Sequence, residues 1–182
     1  MREDDLPGLV GEMIRHGRIA SVDLSAGRIV VESGDVETGP IRFLTGGAGG
    51  TRVWSRPKVG EQVTLLCPDG DIEGAVALRG HTCDAFPHIG DETREVVEFE
   101  DGSLIAYDPA SHALDIALAG AATASIVAPG GVSIQGDVTV TGTITASGNI
   151  TTPANVLAGA IGLKTHKHGG VEPGSGQTGL PT

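Results

Sequence analysis

The chain has 182 residues, enough for one or two domains, yet aromatic residues make up 3% of it and 29 positions are glycine. That composition argues against a large self-sufficient core and for repeats or oligomerisation. A formal net charge of -11, with no basic patch to reverse it, argues against electrostatic attraction to nucleic acid or anionic lipid.

The N-terminus, MREDDLPG, is acidic and lacks the apolar core of a secretory leader, and no run of ~18 apolar residues marks a membrane span. The expectation is a chain made and folded in a cytoplasm. Leu6, Leu9, Val10, Met13 and Ile14 follow helical spacing, which predicts a short amphipathic helix over residues 4–15 that docks on something. Five strand-like runs follow: RIASVDL, GRIVVES, IRFL, GEQVTLLCP and EGAVALRG, separated by glycine-rich or charged turns. Five short strands point to a small barrel over residues 16–90, an OB-like Greek key first among the candidates. The loop TGGAGG, Thr45–Gly50, has no Lys-Ser/Thr follow-on and no helix after it, so it reads as a flexible surface loop and not as a phosphate cradle. Trp54 is the only tryptophan, too little for a stacking platform, so the barrel reads as a structural adaptor. Cys67 and Cys83 read as two small buried or free thiols, against a disulfide framework or a metal site.

After a boundary around His88–Glu92 the stretch VVEFEDGSLIAYDPASHALDIALAG reads as a three-stranded meander, the neck, over residues 91–118. Asp101-Gly102 signals a tight hairpin and Asp108-Pro109 opens the next turn. Residues 119–161 hold a repeat of period six. Val132, Val138, Ile144 and Ile150 open successive hexads, Ile134, Val140 and Ala146 follow two places later, and Gly136, Gly142 and Gly148 two places after that. In an extended chain all of these share one face, and Thr139, Thr141, Thr143 and Thr145 share the other. A plain sandwich strand would not run this long without turns, and a single-chain hexapeptide solenoid needs more coils than about four hexads supply. The preferred reading is a triple-stranded β-helix, three identical chains wound together with their Val/Ile faces on a shared axis, glycine allowing close approach or a corner. Asn149-Ile150-Thr151 matches a glycosylation sequon, taken as chance in a chain without a leader.

Residues 162–182, within IGLKTHKHGGVEPGSGQTGLPT, form the tip. If Thr165–His168 is extended, His166 and His168 face one side. One such pair is a weak metal signal, and in a lone chain a solvated polar tail explains it better. Threefold symmetry changes that weighting, because two imidazoles from each of three chains make six ligands about one axis. Structural zinc takes four, so a sixfold imidazole site suits ferrous iron, with nickel or cobalt as substitutes, and acid releases the metal because the ligand is neutral imidazole. Such an ion, one per trimer on the axis, would clamp three narrow strand ends against fraying.

With RHGRIASVD near the start, KVGEQVTLLCPDGD in the barrel, EDGSLIAYDPASHAL in the neck, the hexads, and THKHGGVEPGSG at the tip, the chain resembles the baseplate assembly protein V, or central spike, of contractile-tailed bacteriophages and R-type pyocins. The resemblance runs over nearly the whole chain, departing at GGAGG. It implies an all-β protein: an OB-fold collar, an intertwined trimeric β-helix, and an apex where the HxH pairs of three chains, here His166 and His168, bind iron. It also implies a place at the tip of the virion tail. There the collar and the helix of residues 4–15 bind a baseplate hub or tail tube, and the spike is driven through the host outer membrane when a sheath contracts, with no part for nucleic acid. No lysozyme-like insertion is visible.

Two rival functions meet the same residues. An enzyme finds no support, since HExxH, GxSxG and P-loop patterns are absent and a site with six protein ligands leaves no position for substrate. A trimeric receptor-binding fibre or adhesin would share the β-rich trimer but would be expected to end in a larger domain with exposed aromatic loops, whereas this chain ends in small residues.

Overall fold

The fold is described from a computed structural model, for residues 6–90, 93–167 and 174. It divides into two compact units, Met1–Ser125 and Ile126–Thr182.

The first unit opens on α1 (Leu6–Met13), which ends two residues before the predicted helix does because Ile14 already pairs with Leu66 in a sheet; residues 4 and 5 of the predicted helix lie outside the described residues. It lies against the tight turn Pro68–Gly70, and the Cys67 N–H donates to the Met13 carbonyl at 2.8 Å. At eight residues it is too short to cross a membrane, and no helix among the described residues is long and apolar enough to do so.

The barrel is built from β1 (Ile14–Asp23), β2 (Arg28–Ser33), β3 (Val36–Glu37), β4 (Arg42–Phe43), β7 (Gln62–Leu66) and β8 (Val76–Leu78), in the order β3-β2-β1-β7-β8-β4. All neighbours are antiparallel except β4 and β8. Ile29 and Ile41 exchange backbone hydrogen bonds at 3.2 and 2.9 Å, so the chain entering β4 also pairs with β2 and the sheet curls back on itself. A register slip between Ile19 and Ser21 leaves Ala20 as an extra residue in β1, and such a bulge bends the strand as a small barrel requires. Alternation fills the inside: Ile29 and Val31 from β2, Val63 and Leu65 from β7, with Ile19, Ile41, Cys67, Ala75 and Ala77. Burial pushes the Cys67 thiol above its ordinary value, as expected of an inert core cysteine.

Between β4 and β7, the TGGAGG segment is not a featureless loop. β5 (Gly47–Ala48) pairs with β6 (Arg52–Val53) as a small ribbon. Glycine at position 47 permits the approach, since a Cβ there would stand 3.2 Å from the Thr51 carbonyl oxygen. Behind it, Arg79 makes a two-pronged ion pair with Glu61, Nε to Oε2 and Nη2 to Oε1, both at 2.8 Å. Its Nη1 donates to the Ser55 carbonyl at 2.8 Å and its guanidinium carbon lies 5.4 Å from the centre of the Phe43 ring. One mostly buried side chain thereby fixes the path of the segment leading into β7.

The predicted meander is present: β9 (Glu95–Glu98), β10 (Leu104–Asp108) and β11 (Ala113–Ala117), in the order β11-β10-β9. Its turns are made by the aspartates that mark them. Asp101 Oδ1 accepts the Ser103 N–H at 2.9 Å beside Gly102 at φ 82, and Asp108 accepts the Ala110 N–H and the Ser111 hydroxyl, each at 2.8 Å. Glu100 in the first turn accepts from both Lys58 and Arg56, tying the meander to the barrel. The Lys58 hydrogen bond, with the charges of Lys58 and Arg56, holds the Glu100 carboxyl below its usual range.

The second unit holds the hexads and, beyond them, a hairpin of β12 (Leu157–Ala158) and β13 (Ile161–Gly162).

Two outcomes follow. A Cβ on Gly17 would collide with Val31 Cγ1 and stand 2.8 Å from the Glu32 carbonyl oxygen, one a fully buried side chain and the other backbone held in a ladder. Gly17→Ala should therefore cost about 1–3 kcal/mol in urea unfolding of the barrel. Hydrogen bonds hold the Asp101 and Asp108 carboxyls below their ordinary values, to the Ser103 backbone N–H first for Asp101 and to the Ser111 hydroxyl first for Asp108. The stability they contribute is present above the unfolded carboxylate pKa and is lost as pH falls through the lowered folded values. Replacing both with Asn, which keeps an acceptor but cannot titrate, should flatten the acid limb of a melting temperature against pH curve.

Candidate functional site

Between Ala117 and Leu157 no residue belongs to a strand, and every residue from 120 to 161 is exposed. The reason is physical: a strand is defined by ladder bonds, and this run pairs with no strand of its own chain. The expected aliphatic face is open, with Val132 61%, Ile134 67%, Val138 62%, Val140 49%, Ile144 68% and Ile150 73% exposed. The repeat is nonetheless visible in the backbone, which bends at Gly136, at Thr141-Gly142 and at Ser147-Gly148, six residues apart. Gly136 and Gly142 sit at φ 131 and 145, a region L-residues rarely adopt, so at these two positions glycine is needed for the corner itself. Within the chain nothing lies within 4 Å of a Cβ built on Gly136, Gly142 or Gly148.

The hexads lead into a small hydrogen-bonded knot. The β12–β13 hairpin turns at Gly159, φ 60, and is extended by the Leu163 N–H donating to the Val156 carbonyl at 2.8 Å. Asn155 stitches its two sides: Oδ1 accepts the Lys164 N–H at 3.0 Å and Nδ2 donates to Thr165 Oγ1 at 3.5 Å. The Lys164 ammonium donates to the Pro153 carbonyl at 2.7 Å. The Gly162 carbonyl then accepts from the Thr165 and His166 N–H groups, at 3.1 and 2.9 Å. Thr165 is therefore in a turn and not in the extended run that the sequence pattern assumed.

This turn orients His166. Its Nδ1 lies 3.1 Å from the Leu163 carbonyl oxygen, which can only accept, so Nδ1 is the donor in this contact and the tautomer it selects has its lone pair on Nε2. That is the arrangement in which an imidazole serves as a metal ligand, with the outer nitrogen's partner fixing tautomer and ring angle. His168 lies outside the described residues. Among the described residues no three His, Cys, Asp or Glu side chains converge. Sequence reasoning found His166 by its spacing from His168 but missed Asn155, nine residues from the amide it holds; nothing local marks that pairing.

Compared with known proteins, residues 15–82 match the Type VI secretion system/phage-baseplate injector OB domain, which is the barrel described above. Residues 160–182 match the GpV Apex motif. The chain is similar to the spike protein of Escherichia phage P2, 37% identical over 131 residues, covering 71% of this chain and 61% of the relative. It thus spans about 61% of that relative's length.

Asn155→Ala should loosen the hairpin by the ~1 kcal/mol of a hydrogen bond, read as roughly fivefold faster exchange of the Lys164 amide with no change in the barrel's protected amides.

Proposed function

The chain belongs to the phage-baseplate spike family through its injector OB domain and its apex motif, and on that premise we propose that three copies form the central spike at the tip of a contractile tail or related injection device. The observation that carries this is the Val/Ile stripe, exposed over its whole length, unpaired in its own chain and cornered by glycine at each sixth residue. Complete burial of a Val or Ile side chain is worth ~1.5–3 kcal/mol, and half or more of that remains to be gained at each stripe position. Two further copies would supply the missing neighbours: aliphatic faces around an axis, and backbone partners for N–H and C=O groups that a lone chain leaves to water. Winding three chains into one triple-stranded β-helix leaves no exposed sheet edge, which suits an object under axial load.

At the apex, His166 and His168 of each copy would be the ligands. The tautomer set by the Leu163 carbonyl fits such a role, and a sixfold imidazole set suits iron above zinc. The ion would supply a crosslink between the three strand ends and no reaction; the role is mechanical, not catalytic. The collar and α1 would cap the baseplate hub or tube, and sheath contraction would push the narrow end through the host outer membrane. The net charge of -11 per chain gives no attraction to anionic lipid, in keeping with entry by force.

Native mass spectrometry of untagged protein tests this directly. The expected species is three chains of 18.4 kDa with one transition-metal ion. His166→Ala should keep the three chains and lose the metal. A folded, metal-free monomer for the unaltered protein would sink the proposal.

A further inference from the structure

The meander carries a second uncovered apolar face, upstream of the hexads. Strand alternation and register place it: Ile105 of β10 lies opposite Val97 of β9 and Ile116 of β11, and Tyr107 lies opposite Glu95 and Leu114. Each cross-strand row therefore presents its side chains on one side of the sheet. On that side Val97 is 58% exposed, Ile105 41%, Tyr107 42%, Leu114 64% and Ile116 62%, while the intervening Ala106, facing the other way, is 1% exposed. Large side chains outward and a buried alanine behind is the reverse of a sheet that faces water.

Phe99 and Leu118, 49% and 40% exposed, extend the patch along the outer strands. Together these side chains leave on the order of 600 Å² uncovered, at the upper end of what a monomer exposes and near the ~800 Å² each partner gives to a stable interface. Glu95 is the one charged residue in the two rows. In a chain with a net charge of -11, this face brings one carboxylate per copy into the contact, at the end of an outer strand.

We propose that the occupant of this face is the same face of two further copies, so that the neck is a trimer contact in its own right and forms before the hexad stripe. The proposal rests on the threefold reading of the spike. All three neck strands are hydrogen-bonded within one chain, so their face exists before association; the stripe has no partner in its own chain and can form only once other copies are near. Fourteen residues, 118–131, separate Ala117 from Val132, so docked necks hold three stripe starts within a chain's reach at high effective concentration.

Sedimentation velocity on full-length variants, with hydrogen exchange of the barrel as a folding control, separates the possibilities. Ile105→Asp replaces an outward side chain in the central row and, by burying a carboxylate from each copy, should raise the concentration at which trimers dissociate by at least ~100-fold, with barrel protection intact. Ile144→Asp in the stripe should leave the trimer assembled and make only residues 126–182 protease-sensitive. Ile105→Thr, which keeps a β-branched strand former, should fall between wild type and Ile105→Asp. An Ile105→Asp trimer as tight as wild type, or dissociation by Ile144→Asp and not by Ile105→Asp, would overturn the neck proposal and leave the spike reading standing. A wild-type monomer would remove both.

Discussion

One constraint governs the C-terminal third of this protein: the hexads, residues 132–151, pair with no strand of their own chain. An extended backbone carries a donor and an acceptor at nearly every residue, and an aliphatic side chain at every second position on one face. Left alone, such a segment gives both to water. The barrel shows the opposite solution, with each strand flanked by others and Ile19, Val31 and Leu65 closed off from solvent. The same strand chemistry is thus self-sufficient in one unit and incomplete in the other.

The parts between these extremes are organised by polar contacts at short range. Glu100 reaches back from the neck to Lys58 and Arg56, and Arg79 with Glu61 sets the course of the segment that carries those two cations. The exposed pairs at Glu100 contribute little to stability by themselves, but they fix a geometry, whereas the mostly buried Arg79 pair is costly to break from one side. Further along, Asn155 and the Gly162 carbonyl do for the tip what Arg79 does for the collar: they turn a glycine-rich stretch into a defined loop with one imidazole in a chosen tautomer.

Much of this was legible from residue patterns. The five barrel strands, the meander and its Asp101-Gly102 turn are all found, because alternating apolar residues and φ-positive glycine are local signals. The hexads were legible as a periodicity, and the backbone bends confirm the period. The glycine-rich segment at 45–50 was not legible, since the ribbon of β5 and β6 depends on the close approach of Gly47 to Thr51, which no propensity encodes. The exposed neck face was hidden for another reason: the run was divided into strands, but which side of the sheet was covered depends on Ala106 and its surroundings, not on the strand signal. At the tip, spacing located His166, while its orientation comes from the Asn155 stitch and the turn at Leu163–Thr165.

The corners at Gly136, Gly142 and Gly148 also make this segment a ruler graduated in sixes. Adding or removing one whole graduation would return every following Val and Ile to the same side and every glycine to a bend. A change of one residue would invert the faces from that point onward. A chain built on this plan can therefore change the length of this segment in discrete steps without altering the barrel or the hairpin beyond it.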